Sequence, residues 1–180
     1  DPSQPDVAIP VGQANVATSG EGRMGSLGAS AADSTSRGGA AVLMGGANDP
    51  LAAVQTQRLD SSTLKGLVAS DCVEPVNEQW LVGGASTLGT STTLSLGNAS
   101  DVPATVQIAV FDENGEIPAL KTAGVIVAPH SQQTVSLSGY APDSSRLAVK
   151  VSSTGAPVAA SLGVARIDGL NPVGAATVTR

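Results

Sequence analysis

The chain has 180 residues, a formal net charge of −6, and only 13% charged and 2% aromatic residues. No Lys/Arg cluster interleaved with aromatics is present, which argues against a nucleic-acid partner, and the acidity disfavours an anionic membrane surface. No apolar run reaches the roughly 18 residues of a transmembrane helix, so no membrane insertion is expected of this chain.

A chain of this length buries about 70% of its unfolded surface when compact, enough for one large or two small domains. With one Trp, one Tyr and one Phe, the core is expected to consist of Val, Leu, Ile and Ala.

The chain opens at Asp1 with no initiating Met and no signal-like segment, and reads as a piece of a longer or processed polypeptide. Its first candidate strands are Val7–Val11, Asn15–Thr18, Ala40–Met44 and Leu51–Leu59. Between them, residues 19–39 are rich in Gly, Ser and Ala without a sustained period. They read as a long loop or linker, or alternatively with a short helical turn over Met24–Ala32.

From Thr92 to Gly163 the pattern changes. The runs Thr93–Leu96, Ala104–Phe111, Gly124–Val127, Gln133–Leu137, Arg146–Val151 and Val158–Val164 mostly place apolar residues at every second position. Loops at Asn98–Pro103, Asp112–Gly115, Pro129–Ser131, Ala141–Ser144 and Ser153–Pro157 interrupt them about every ten residues, the spacing of a sandwich or barrel. Asn114-Gly115 is a pair suited to a tight hairpin. The closing Ala176–Arg180 also reads as strand.

Pro50-Leu51-Ala52-Ala53 followed by Arg58-Leu59-Asp60 is echoed by Pro157-Val158-Ala159-Ala160 followed by Arg166-Ile167-Asp168. This points to an internal duplication. The expected fold is all-β: an antiparallel immunoglobulin-like β-sandwich in two tandem units, the first incomplete. Residues 1–70 form the partial unit with its Gly/Ser-rich loop 19–39, and residues 71–180 the complete one.

Chemical motifs are sparse. Cys72 has three readings: a small buried hydrophobe, a nucleophile working with His130, or one half of a disulfide with a cysteine upstream of Asp1. His130 is the single histidine, so any Ser-His-Asp site must use it, and no Gly-x-Ser-x-Gly segment accompanies it; a bare turn position is the simpler reading. Asp112, Asn114 and Glu116 alternate like calcium ligands but lack a correctly placed glycine and a later acid, so a hairpin turn fits better. Asn98-Ala99-Ser100 matches a glycosylation sequon. Gly83, Gly84 and Gly89 lack the Lys-Ser/Thr ending of a phosphate loop and are read as bends. Trp80 is read as a plug at the mouth of the second unit's core, with a ligand platform as the alternative. No residue is assigned to catalysis, to a cofactor or to a metal.

Leu64 to Cys72, then Glu78-Gln79-Trp80-Leu81-Val82-Gly83-Gly84, then the Leu-Gly-Asn turn at Leu96–Asn98, resembles a family of uncharacterised secreted actinobacterial proteins with tandem immunoglobulin-like sandwich domains. The likeness runs over residues 64–172 and includes Leu137 to Pro142 and Leu147-Ala148-Val149. It implies a non-catalytic envelope protein and a further cysteine upstream to pair with Cys72.

Low Lys content, abundant Ser, Thr, Ala and Gly, and a single Cys also suit an extracellular or cell-surface location. The functional expectation is a structural and interaction module, not an enzyme. Its partner is another protein or a second copy of itself, and it assembles by β-strand addition. The alternative is a weak carbohydrate-binding module for cell-wall glycans, using Trp80 or Tyr140.

Overall fold

A computed structural model describes residues 7–8, 42–43, 54–60, 65–118 and 124–180. The chain divides into two compact units, Asp1–Leu51 and Ala52–Arg180. In the first, β1 (Val7–Ala8) pairs antiparallel with β2 (Val42–Leu43), inside two of the expected strands. The expected strand Asn15–Thr18, the loop 19–39 and the helical turn at Met24–Ala32 lie outside the described residues.

In the second unit a hairpin of β3 (Val54–Asp60) and β4 (Lys65–Asp71) leads into an antiparallel all-β sandwich. Its strands are β5 (Glu78–Val82), β6 (Thr90–Asn98), β7 (Ala104–Asp112), β8 (Gly115–Ile117), β9 (Val125–Val127), β10 (Ser131–Ser136), β11 (Ala148–Thr154), β12 (Ala159–Asp168) and β13 (Asn171–Val178). One sheet runs β10-β6-β12-β13. The other runs β5-β11-β7-β8, with β9 sharing β7's outer edge. The unit begins at Ala52 and so takes in β3 and β4, ahead of the boundary at residue 71 read from the sequence.

All six expected strands from Thr93 to Val164 are present with shifted ends, and β4, β5, β8 and the first five residues of β13 are additional. The inner faces meet in an aliphatic core in which Leu81, Leu94, Leu96, Leu137 and Leu162 are fully buried. Each such side chain contributes about 1.5–3 kcal/mol relative to exposure. No aromatic residue belongs to this core.

Strand β6 outruns its apolar stretch because the inward parity continues through polar residues. Thr92 and Asn98 are both fully buried at the two ends of the Leu94, Leu96 row. Thr92 Oγ1 donates to the Ala85 carbonyl at 2.7 Å and accepts from the Ala85 N–H at 3.0 Å. Asn98 Nδ2 donates to the carbonyls of Val102 at 2.8 Å and Val127 at 3.1 Å. Its Oδ1 accepts from the Ser100 N–H at 3.0 Å and hydroxyl at 2.8 Å. Buried polar groups persist where they are satisfied in this way.

Gly84 lets the chain cross from β5 in one sheet to β6 in the other. Its φ is +89°, and a Cβ there would come within 2.7 Å of the Thr92 side chain. The β7–β8 hairpin differs by one position from the tight turn expected. Asp112 pairs with Gly115, so Glu113 and Asn114 form the loop, and Gly115 rather than Asn114 takes the positive φ of +119°.

Candidate functional site

The register across β5, β11 and β7 fixes which side chains share a face. Val82, Ala148 and Phe111 stand in one row, then Trp80, Lys150 and Ala109, then Glu78, Ser152 and Gln107. These rows point outward, because the alternate rows Leu81–Val149–Val110 and Gln79–Val151–Ile108 supply the core.

Trp80 therefore does not plug the core. It is 46% exposed on the outer face, and its inward neighbours Gln79 and Leu81 fill the position expected of it. The cause is the two-residue side-chain period: with Leu81 inside, Trp80 must be outside.

On that face Trp80 meets Phe111, with ring centroids 5.3 Å apart and planes inclined at 39°. The Lys150 ammonium lies 5.8 Å from the centre of the Trp80 ring and forms a 2.9 Å ion pair with Glu78. Beside the lysine is a shallow hollow of about 170 Å³ lined by Gln107, Ile108, Ala109, Glu116, Lys150 and Ser152. The face thus combines a tilted aromatic pair, an ion pair and a small, largely apolar recess bordered by polar side chains. That combination suits non-covalent recognition of a ligand with both apolar and hydroxylic parts.

The other candidates fall elsewhere. Tyr140 is 41% exposed in the connection from β10 to β11, where its N–H donates to the Leu137 carbonyl at 3.0 Å. Among the described residues the aromatic ring contact is that of Trp80 with Phe111, so Tyr140 is not brought to it.

Cys72 is exposed just after β4, against its reading as a buried hydrophobe. His130 sits in a turn at φ +50°, as the bare-turn reading expects, with its Nε2 2.8 Å from Asp101 Oδ1. Both partners are largely open to solvent, and Ser131 beside them donates instead to the Ala128 carbonyl at 2.7 Å.

Asp112, Asn114 and Glu116 belong to the β7–β8 hairpin, where Asp112 Oδ1 accepts the Asn114 N–H at 2.7 Å. Among the described residues no three His, Cys, Asp or Glu side chains converge as metal ligands. Asn98 of the sequon is fully buried with its amide nitrogen already donating twice, which leaves it no role as a glycan acceptor.

Lys150, Gln107 and Ser152 were not singled out from the sequence. Phe111 and Gln107 were accessible to parity reasoning, since Val106, Ile108 and Val110 face inward; their meeting with Trp80 and Ser152 depends on register across three strands.

The family model described as "Family of unknown function (DUF5719)" matches residues 31–180. No curated protein matches the chain. A crystal structure of Thermotoga maritima 1070 is similar at 14% identity and a TM-score of 0.51, covering 60% of this chain and 96% of that one. The Anabaena sensory rhodopsin transducer is similar at 16% identity and a TM-score of 0.41, covering 49% of this chain and 96% of that one. At 14% identity the first of these likenesses supports the fold alone.

Proposed function

We propose that this chain, which belongs to the DUF5719 family of unknown function, is a non-catalytic extracellular or cell-envelope interaction module that associates with a second copy or another protein by β-strand addition. The observation that carries this is the outer edge of β5. Asn77 accepts from the Ser153 N–H at 2.8 Å, and the Gly83 N–H donates to Leu147 at 2.9 Å. In an antiparallel ladder these bonds alternate, so Glu78, Trp80 and Val82 direct their N–H and C=O groups away from β11. Among the described residues β11 is the strand that pairs with β5.

Trp80 and the 72% exposed Val82 flank that edge. They suit an added strand with apolar residues at alternate positions, its main chain supplying affinity and its side chains selectivity.

We further place the chain among secreted actinobacterial proteins with tandem immunoglobulin-like units. Low charge content supports the location, and the internal echo supports the tandem units. The closing residues 58–60 of one copy and 166–168 of the other each end the first strand of a hairpin at its turn, with Asp60 opposite Lys65 and Asp168 opposite Asn171. The second strands of the two hairpins, β4 and β13, lie side by side.

Size-exclusion chromatography with light scattering tests the association. The mean mass rises with concentration, and Val82→Lys, which puts a charge on the edge, moves the midpoint to higher concentration. A strict monomer at every concentration, together with no capture of an apolar-alternating strand peptide, would sink the proposal.

A further inference from the structure

We infer that the outer face of the β5–β11–β7 sheet is a saccharide-binding platform whose ligand is a neutral polysaccharide. This goes beyond association through the β5 edge, since a strand added to the edge extends the sheet and leaves its face open.

The aromatic residues carry the first step. The chain has three, and the core takes none of them; two are gathered on this one face with their rings 5.3 Å apart. A Trp left 46% exposed beside a wholly aliphatic core is not there for packing. An amphipathic ring pair offers a stacking surface to a ligand that is apolar on one side and polar at its rim. The C–H face of a pyranose has that character.

The surroundings select further. Ala148 and Ala109 are the small residues in the rows occupied by the two rings, and the Lys150 side chain lies between platform and recess and borders both. That recess, about 170 Å³, is several times the roughly 30 Å³ share of one water, and Gln107, Ser152 and Glu116 are among the residues that line it. Gln and Ser each donate and accept, which matches hydroxyls that do both.

Charge decides the class of polymer. The Lys150 ammonium is held by Glu78 at 2.9 Å, and Glu116 adds a second carboxylate to the same face. With the chain at −6 overall, the described residues of this face leave no surplus positive charge for an anionic polymer. The polar row of Glu78, Ser152 and Gln107 likewise interrupts the apolar surface that a hydrophobic protein partner requires.

Trp80 is the single tryptophan, so its emission reports on the site directly. The monomeric protein is titrated with hexasaccharides of β-1,4-glucose, β-1,4-N-acetylglucosamine, α-1,4-glucose and α-1,6-mannose, and with polygalacturonate as the acidic counterpart. At least one neutral oligomer gives a saturable blue shift. Phe111→Ala weakens that affinity about tenfold and Gln107→Ala about threefold to tenfold. Both side chains point outward, and circular dichroism checks that the variants fold; should Phe111→Ala fail to, Gln107→Ala decides.

Three results overturn the inference: no saturable response to any neutral oligomer, a response confined to polygalacturonate, or affinities unchanged in the folded variants. Because the titration is read on monomer, self-association without a saccharide response defeats this inference and leaves the edge proposal standing.

Discussion

The two sheets of the sandwich are alike inside and unlike outside. Facing the core, β6 and β12 present Leu94, Leu96, Ala160 and Leu162, and β11 and β7 present Val149, Val151, Val106, Ile108 and Val110. Facing away, β6 and β12 show Ser91, Thr93, Ser95, Gly97, Ser161 and Gly163, a surface of small side chains. The opposite sheet instead shows Glu78, Trp80, Val82, Lys150, Gln107 and Phe111. Since the first sheet folds with a plain outer surface, the large side chains of the second are not demanded by the architecture. That difference is why the recognition surface is placed there.

The largest effect that tests the contrast lies within one strand. Leu81 and Trp80 are adjacent on β5 and point to opposite sides. Leu81→Ala leaves a cavity in the aliphatic core and is expected to cost about 2–5 kcal/mol. Trp80→Ala removes a larger side chain but forfeits chiefly its contact with Phe111, at about 0.5–1.5 kcal/mol. Urea unfolding followed by circular dichroism measures both. Equal losses would mean that Trp80 is structural, and the contrast between the faces would fail.

A smaller effect sharpens the same contrast through a polar inward position. Asn98→Ala strands two carbonyls and the Ser100 donors in the buried end of β6, for an expected loss of about 1–3 kcal/mol. Ser95→Ala, on the outer face of the same strand, is expected to stay within about 0.5 kcal/mol. A neutral Asn98→Ala would show that inward parity through a polar residue contributes nothing to holding β6 in place.

How much of this was legible in the sequence follows from where parity is visible. Alternation of Val and Leu announced β6, β7, β11 and β12, because a half-buried strand writes its period directly. It missed β5, in which an inward Gln79 hides the pattern and the conspicuous Trp80 invites assignment to the core. Leu81 carried the decisive information, since one inward residue settles the side of both its neighbours. Most of β13 was unread because Pro, Gly and Ala give it no period. The face itself was the least legible feature. Phe111 lies thirty-one positions from Trp80, and only the shared pairing of β5 and β7 with β11 brings them together.

The smallest expected effect concerns a carboxylate at the far end of the same sheet. Glu113 in the β7–β8 loop has its pKa lowered from the usual value, first by hydrogen bonding to its own main-chain N–H, with desolvation pulling the other way. The Ser145 N–H at 3.4 Å and hydroxyl at 3.2 Å, then the Arg146 main chain, add to the lowering. A folded pKa below the unfolded one means that the folded state favours the ionised form. The contribution to stability is therefore present above the unfolded pKa and is lost as pH falls through the folded one. Glu113→Gln should leave stability near neutral pH slightly reduced and flatten its decline in acid, while Glu78→Gln, an exposed partner of Lys150 on the aromatic face, alters it little at either pH. Unfolding curves collected from neutral pH down into the carboxylate range compare the two. An acid decline unchanged in Glu113→Gln would remove the hairpin contact from the terms that set this sheet's stability and leave the inner face as their source.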